Sequence, residues 1–248
     1  MSPDPSSHDP SASATNWSLL HAAAAGGEES RASLEAVVQR YWGPIFAFVR
    51  ATGQPPQDAV DLTQGFVADV LLGRSLLASA DRKRGKFRSL LRQSVVNYVR
   101  DRVRHDRSQK RQPASGTPQQ ASATKFHELA ASSIQRAERA FDAHWAAQVI
   151  RTAADRAQTR ARREGRELAW TVFERRTLRP RLRGDKPTEY AELVETLPLQ
   201  SIGQAAHLAI MGRRIFVDEL LAELRGTLGE GESVDDEIRL LIDALEGS

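Results

Sequence analysis

FRSLLRQSVVNYVRDRVRHDRSQKR, residues 87–111, carries two helical patterns at once. Phe87, Leu91, Val95 and Tyr98 recur at spacings of three and four, which draws one apolar face of an α-helix. Arg100, Arg104, Arg107 and Arg111 follow the same spacings on another face, with Asn97 and Asp101 beside them. Such a helix is buried on one side and basic on the other. From Asp81 to Arg111, twelve Lys and Arg stand against three Asp, a net +9. A solvated face usually mixes both signs, and near-uniform positive charge is the footprint of a phosphate-backbone binder. A basic helix on a membrane surface is the competing use, but the apolar face here reads as globular core.

Working outward, residues 1–14 are Ser, Pro and Asp with almost nothing to bury, and read as a disordered tail. Leu34, Val38, Tyr41, Ile45, Phe48 and Val49 form a second helical stripe, in which Gly43 and Pro44 predict a kink or a helix end. Pro55 and Pro56 break the chain, and Pro56 suits the first turn of a helix that turns Ala59, Leu62, Phe66 and Val70 inward. Residues 112–133 have the Pro, Ser, Thr and Gln content of a flexible linker. Helical periodicity resumes near Ile134. LAWTVF (168–173) is the one stretch with strand character, and its Ala and Leu make a helix the better reading. The expectation is an all-α chain with two helical domains, residues 15–111 and 134–228, joined by that linker.

Charge is segregated further along. Arg151 to Lys186 holds twelve Lys and Arg against five acids, whereas Ile215 to Ser248 holds ten acids and two Arg. In residues 229–248, Val234, Ile238, Leu241, Ile242 and Leu245 predict an acidic amphipathic helix. A stripe of that size is expected to dock on the second domain, opposite in sign, either to complete its core or to shield its positive surface from DNA.

Thr188 is placed to cap a short helix, and Ser201 with Gln204 forms a capping-box pattern that opens the next. Two helices with a brief turn are what a helix-turn-helix requires, and Ser201, Gln204 and His207 would then meet base edges.

Other classes find little support. With no Cys there is no disulfide framework, thiolate metal site or thiol chemistry. There is no Gly-rich phosphate loop and no nucleophile elbow, and the six His are scattered. Neither an enzyme, a cofactor nor a metal site is expected. No apolar run is long enough to span a membrane. The start MSPDPSSHDPSASA has neither the basic residues nor the apolar core of a signal peptide, so a cytoplasmic location is expected.

YWGPIFAFVR (41–50), DLTQGF (61–66) and RGKFRSLL (84–91), in that order, resemble the first helical domain of bacterial RNA polymerase sigma factors of the extracytoplasmic-function type. FDAHW (141–145) resembles the start of their second domain. The resemblance covers about Asn16 to Leu245. It implies a factor that binds core RNA polymerase and directs promoter recognition and transcription initiation, with an anti-sigma factor as a further candidate partner. Asp61, Leu62, Gln64 and Phe66 would dock on the polymerase. Arg88, Arg92, Asn97, Arg100, Arg104, Arg107, Lys110 and Arg111 would hold the minus-ten element. Ser201, Gln204, His207, Arg213 and Arg214 would contact an upstream element. The chain departs from the family at Gly65, where a Glu is usual, at Pro198 in the turn, and at Gly212 within the last of these helices. The rival readings are a stand-alone helix-turn-helix regulator and a basic scaffold that binds RNA or membrane.

Overall fold

Every regular element among the described residues is helical, as the 3.6-residue periodicity predicts. The computed structural model describes residues 16–73, 75–109 and 120–246. The tail at 1–14 lies outside them. The chain divides into two compact units, residues 1–148 with 226–248, and residues 149–225.

The first unit starts with α1 (Asn16–Ala25) and α2 (Glu28–Ala51). Helix α2 continues through Pro44 rather than ending there. Its stripe buries Val37, Tyr41, Ile45, Phe48 and Val49, while Val38 is only half-buried. Helix α3 (Pro56–Phe66) opens on Pro56, whose missing N–H costs nothing in a first turn. It runs into a π-helical turn at Val67–Leu72 and then α4 (Ser75–Ala78). Helix α5 (Phe87–Gln109) buries Phe87, Leu91 and Val95 as the sequence predicts. Phe87 packs edge-on against Tyr41 at 5.4 Å, and burial pushes the Tyr41 hydroxyl pKa up.

Helix α6 (Gln120–Arg163) begins well inside the stretch read as linker, so the flexible segment cannot extend to 133. From 120 onward that stretch has no Pro or Gly, and Ala, Gln, Lys and Leu favour helix. Residues 112–119 lie outside the described residues. Ala137, Phe141 and Trp145 of α6 are buried in the first unit, not in the second as expected.

In the second unit follow α7 (Glu167–Phe173), a π-helical turn at Glu174–Leu178, α8 (Arg179–Arg183), α9 (Tyr190–Thr196) and α10 (Ile202–Thr227). LAWTVF is therefore helix. Thr188 does not cap α9, whose N-cap position is Glu189 and carries no side-chain cap. Val172, Leu193, Leu199, Ala205 and Ala209 form the core. Gly212, an oddity in the sequence, marks the close approach of α10 to α7: a Cβ there would overlap the Ala169 carbonyl oxygen and lie 2.6 Å from the Phe173 Cβ.

Helix α11 (Val234–Glu246) is amphipathic as predicted, but it belongs to the first unit. The approach to it is fixed by backbone. Trp17 Nε1 donates to the Leu228 carbonyl at 2.8 Å, and the Glu230 N–H donates to the Arg82 carbonyl at 2.9 Å. Gly229 lies so close to this turn that a Cβ would sit 2.9 Å from the Arg82 oxygen and from Gly85 Cα. The expectation that the acidic helix docks on the second domain is thus corrected. Net charge pointed to the Arg151–Lys186 cluster, whereas one buried carboxylate and backbone fit decide the place.

Gly212→Ala should destabilise the chain by about 1–3 kcal/mol through overpacking, despite a helix-propensity gain of up to about 1 kcal/mol. Gly203→Ala, where a Cβ meets only Ser201 Oγ at 3.8 Å, should be neutral or stabilising by about 0.4–1 kcal/mol. Urea denaturation of the two variants measures the contrast.

Candidate nucleic-acid interface

The basic residues around α5 fall into two environments. Arg88 is 8% exposed, with its guanidinium 3.8 Å above the Trp145 ring, 3.6 Å from Asp142 Oδ1 and 3.4 Å from Glu237 Oε1. Lys86 pairs with the other Glu237 oxygen, and Arg92 with Asp142 Oδ2 at 2.8 Å. Glu237 itself is fully buried. Arg88 is therefore not on a solvated DNA-facing surface, and Arg92 is half-buried in an ion pair. The resemblance, rather than the spacing of the arginine stripe, brought both into the DNA-binding set. It could not show that carboxylates from α6 and α11, 54 residues from Arg88 at the nearer, cover that part of α5.

One turn past Val95 the face opens. Asn97 is exposed and accepts from Gln93 Nε2 at 3.1 Å. Arg100, Arg102 and Arg104 are exposed. Arg100 makes no ion pair among the described residues, and Arg104 has only Asp101 at 4.0 Å, both about 80% exposed. A pair that open to water is worth little. Arg102, absent from the sequence-based set, is exposed on the opposite side of α5, one turn beyond Tyr98, and Arg82, Lys83 and Arg84 are exposed in the turn before α5. The Arg107 side chain, Lys110 and Arg111 lie outside the described residues.

On α3, Asp61 and Gln64 are exposed one turn apart and Leu62 is half-buried. Phe66 is no surface anchor: it is fully buried, edge-on to Tyr98 at 5.5 Å. The Tyr98 hydroxyl donates to Asp69 Oδ2 at 3.1 Å, and burial together with this bond raises its pKa. A Cβ on Gly65 would stand 2.5 Å from that hydroxyl. Gly65 is thus where α3 makes room for Tyr98, and a Glu there would have to displace it.

In the second unit, Ser201 Oγ accepts from the Gln204 N–H at 3.1 Å, while Gln204 Oε1 accepts from the Gln200 N–H at 2.7 Å. The capping box is formed, with its return bond one residue earlier than usual. Both side chains are engaged in starting α10. His207, Arg213 and Arg214 are exposed. His207 and Arg214 line a cleft of about 490 Å³ with Arg160, Arg166, Met211, Ile215 and Asp218. Arg160 is held there by Glu164 at 2.8 Å, Glu219 at 3.2 Å and Asp218 at 3.5 Å. Its hydrogen bonds to Glu164 and Glu219 raise its pKa, and the same arginine lowers that of Glu164. Arg213 lies outside this cleft. Ile202 and Ile210, 56% and 68% exposed, give α10 an apolar outer face that the sequence reading did not single out.

No cluster of His, Asp or Glu suited to a metal ion occurs among the described residues, and no helix there is long and apolar enough to cross a membrane. Comparison of the chain with family models, curated proteins and solved structures finds no match.

The two environments predict opposite mutational behaviour. Arg88→Ala leaves the buried Glu237 with Lys86 alone, empties the site over Trp145, and should cost about 3 kcal/mol. Arg100→Ala should stay within about 0.5 kcal/mol of wild type. Denaturant midpoints of the two full-length variants measure this.

Proposed function

We propose that the protein is a transcription initiation factor of the sigma type, which binds core RNA polymerase and promoter DNA. The observation that carries the reading is the exposed pair of Arg100 and Arg104, one turn apart on the outer face of α5, without a buried acid to neutralise it. Opened duplex needs its backbone phosphates held and its unstacked bases rehoused. A rigid helix rooted in the core by Phe87, Leu91 and Val95 can present arginines for the first task. The exposed Asp61 and Gln64 supply a polar face for the polymerase. In the second unit, α9, the turn at 197–201 and the start of α10 serve as a helix-turn-helix, with His207, Arg213 and Arg214 nearest the duplex. The chemistry of RNA synthesis belongs to the polymerase, so the chain itself is no enzyme, and it works in the cytoplasm. An anti-sigma factor is a fitting regulator of such a chain.

Mixing the protein with core polymerase and isolating the complex tests the reading. Co-isolation, with promoter-dependent transcription by the mixture, is the expected result. DNA binding without polymerase binding would instead identify a stand-alone regulator. Asp61→Arg should weaken polymerase binding while leaving the denaturation midpoint unchanged, because an exposed helix face tolerates substitution. Loss of the fold in that variant would remove Asp61 from the interface. Replacing Arg100 and Arg104 together with Ala should lower the slope of log affinity against log salt by about 0.9 for each lost phosphate contact. An unchanged slope would exclude this stretch of α5 from the DNA surface.

A further inference from the structure

We infer that Lys86, Arg88 and Arg92 form a second phosphate-binding patch, held closed by the Glu237 carboxylate of α11 and by Asp142, and that α11 is a releasable latch over it. This rests on the nucleic-acid reading of α5 and adds its regulation. Lys86 and Arg88 side chains are only 12% and 9% exposed, so a phosphodiester cannot reach them while Glu237 is in place. Arg92 and Asp142, 34% and 27% exposed, sit at the open edge of the same cluster.

Three features distinguish a latch from a helix that merely completes a core. First, α11 buries only part of its apolar stripe: Leu241 is 6% exposed and Val234 and Ile238 are half-buried, but Ile242 and Leu245 are 45% and 40% exposed, as is Leu240 beside them at 43%. Second, its grip is ionic and imperfect. Glu237 Oε1 and Asp142 Oδ1 are buried without a hydrogen bond, although each has an arginine within ion-pair distance. The desolvation cost of such pairs cancels most of their attraction. Exchanging a carboxylate for a phosphate, which arginine binds in the same forked geometry, keeps the cations paired throughout. Third, a glycine lies between the anchor and the lever. Leu228, Gly229 and Glu230 are fastened to Trp17 and Arg82, while Gly231, at φ 75°, lies between them and α11. A hydrogen bond spans this glycine, from the Gly229 N–H to Glu232 Oε2 at 2.7 Å, and with that bond open the helix can swing about Gly231 with its root in place.

The test measures binding of the full-length chain to a fluorescent DNA duplex of mixed sequence across a salt series. Glu237→Gln should bind several-fold more tightly at low salt, with a slope steeper by about 1.8 for two freed cations. Its affinity should therefore fall about tenfold further than wild type between about 50 and 200 mM salt. Adding Lys86→Met should remove about half of the extra slope. Asp142→Asn, at the partly exposed edge, should steepen it by about 0.9 and decides the matter if Glu237→Gln does not fold. In the wild type, saturating duplex should also strip hydrogen-exchange protection from the α11 amides. Wild-type binding with no gain in folded variants, or α11 protection unchanged by duplex, overturns the latch and leaves the nucleic-acid reading standing. Absence of duplex binding by wild type and variants alike overturns both.

Discussion

Glu237 is a fully buried carboxylate facing two cations that are themselves nearly buried, and the first unit is organised around that meeting. Arg88 also reaches Asp142 and lies against Trp145, so α5, α6 and α11 converge on one guanidinium. Such a cluster adds little net stability, because burial of each charge cancels most of the attraction. Its force lies in the cost of breaking it from one side. Segments 151 residues apart are thereby brought into one unit, with Gly229 seated against the turn at Arg82 to supply the steric fit.

The same cluster sorts the charge. The sequence holds a strongly basic block near α5 and an acidic block at the end of the chain, and part of each is consumed by the other inside the first unit. What remains is a shorter, cleaner surface of Arg100 and Arg104, together with Arg82, Lys83 and Arg84 in the preceding turn. A polyanion therefore meets positive charge in the turn before α5 and toward the far end of the helix, whereas Lys86 and Arg88 between them lie behind acids. In the proposed function, this makes the basic helix a surface of graded access.

Helix type and inward faces were legible in the sequence because they are local: Phe87, Leu91 and Val95 needed only their spacing to be placed in the core. The Ser201 cap was legible for the same reason. Assignments that failed depended on partners far along the chain. Arg88 looks like Arg100 in sequence, since nothing nearby announces Asp142 or Glu237. Phe66 reads equally as anchor or core until Tyr98 is seen beside it. Gly212 and Gly65 read as anomalies until Ala169 and Tyr98 are found in the space that a Cβ would occupy. The docking of α11 was misplaced because net charge is a sum over a region, whereas one buried pair is a geometric event. The polar composition of 120–133 misled in another way, since Gln, Ser and Thr are common in linkers without forbidding a helix.

Arginine reactivity toward a guanidinium-modifying dicarbonyl, read residue by residue by mass spectrometry with and without duplex DNA, tests the division of α5 most directly. In the free chain, Arg100, Arg102 and Arg104 should react rapidly and Arg88 hardly at all, and added duplex should protect Arg100 and Arg104. Equal reactivity of Arg88 and Arg100, or no protection of Arg100 and Arg104 by duplex, would contradict the account.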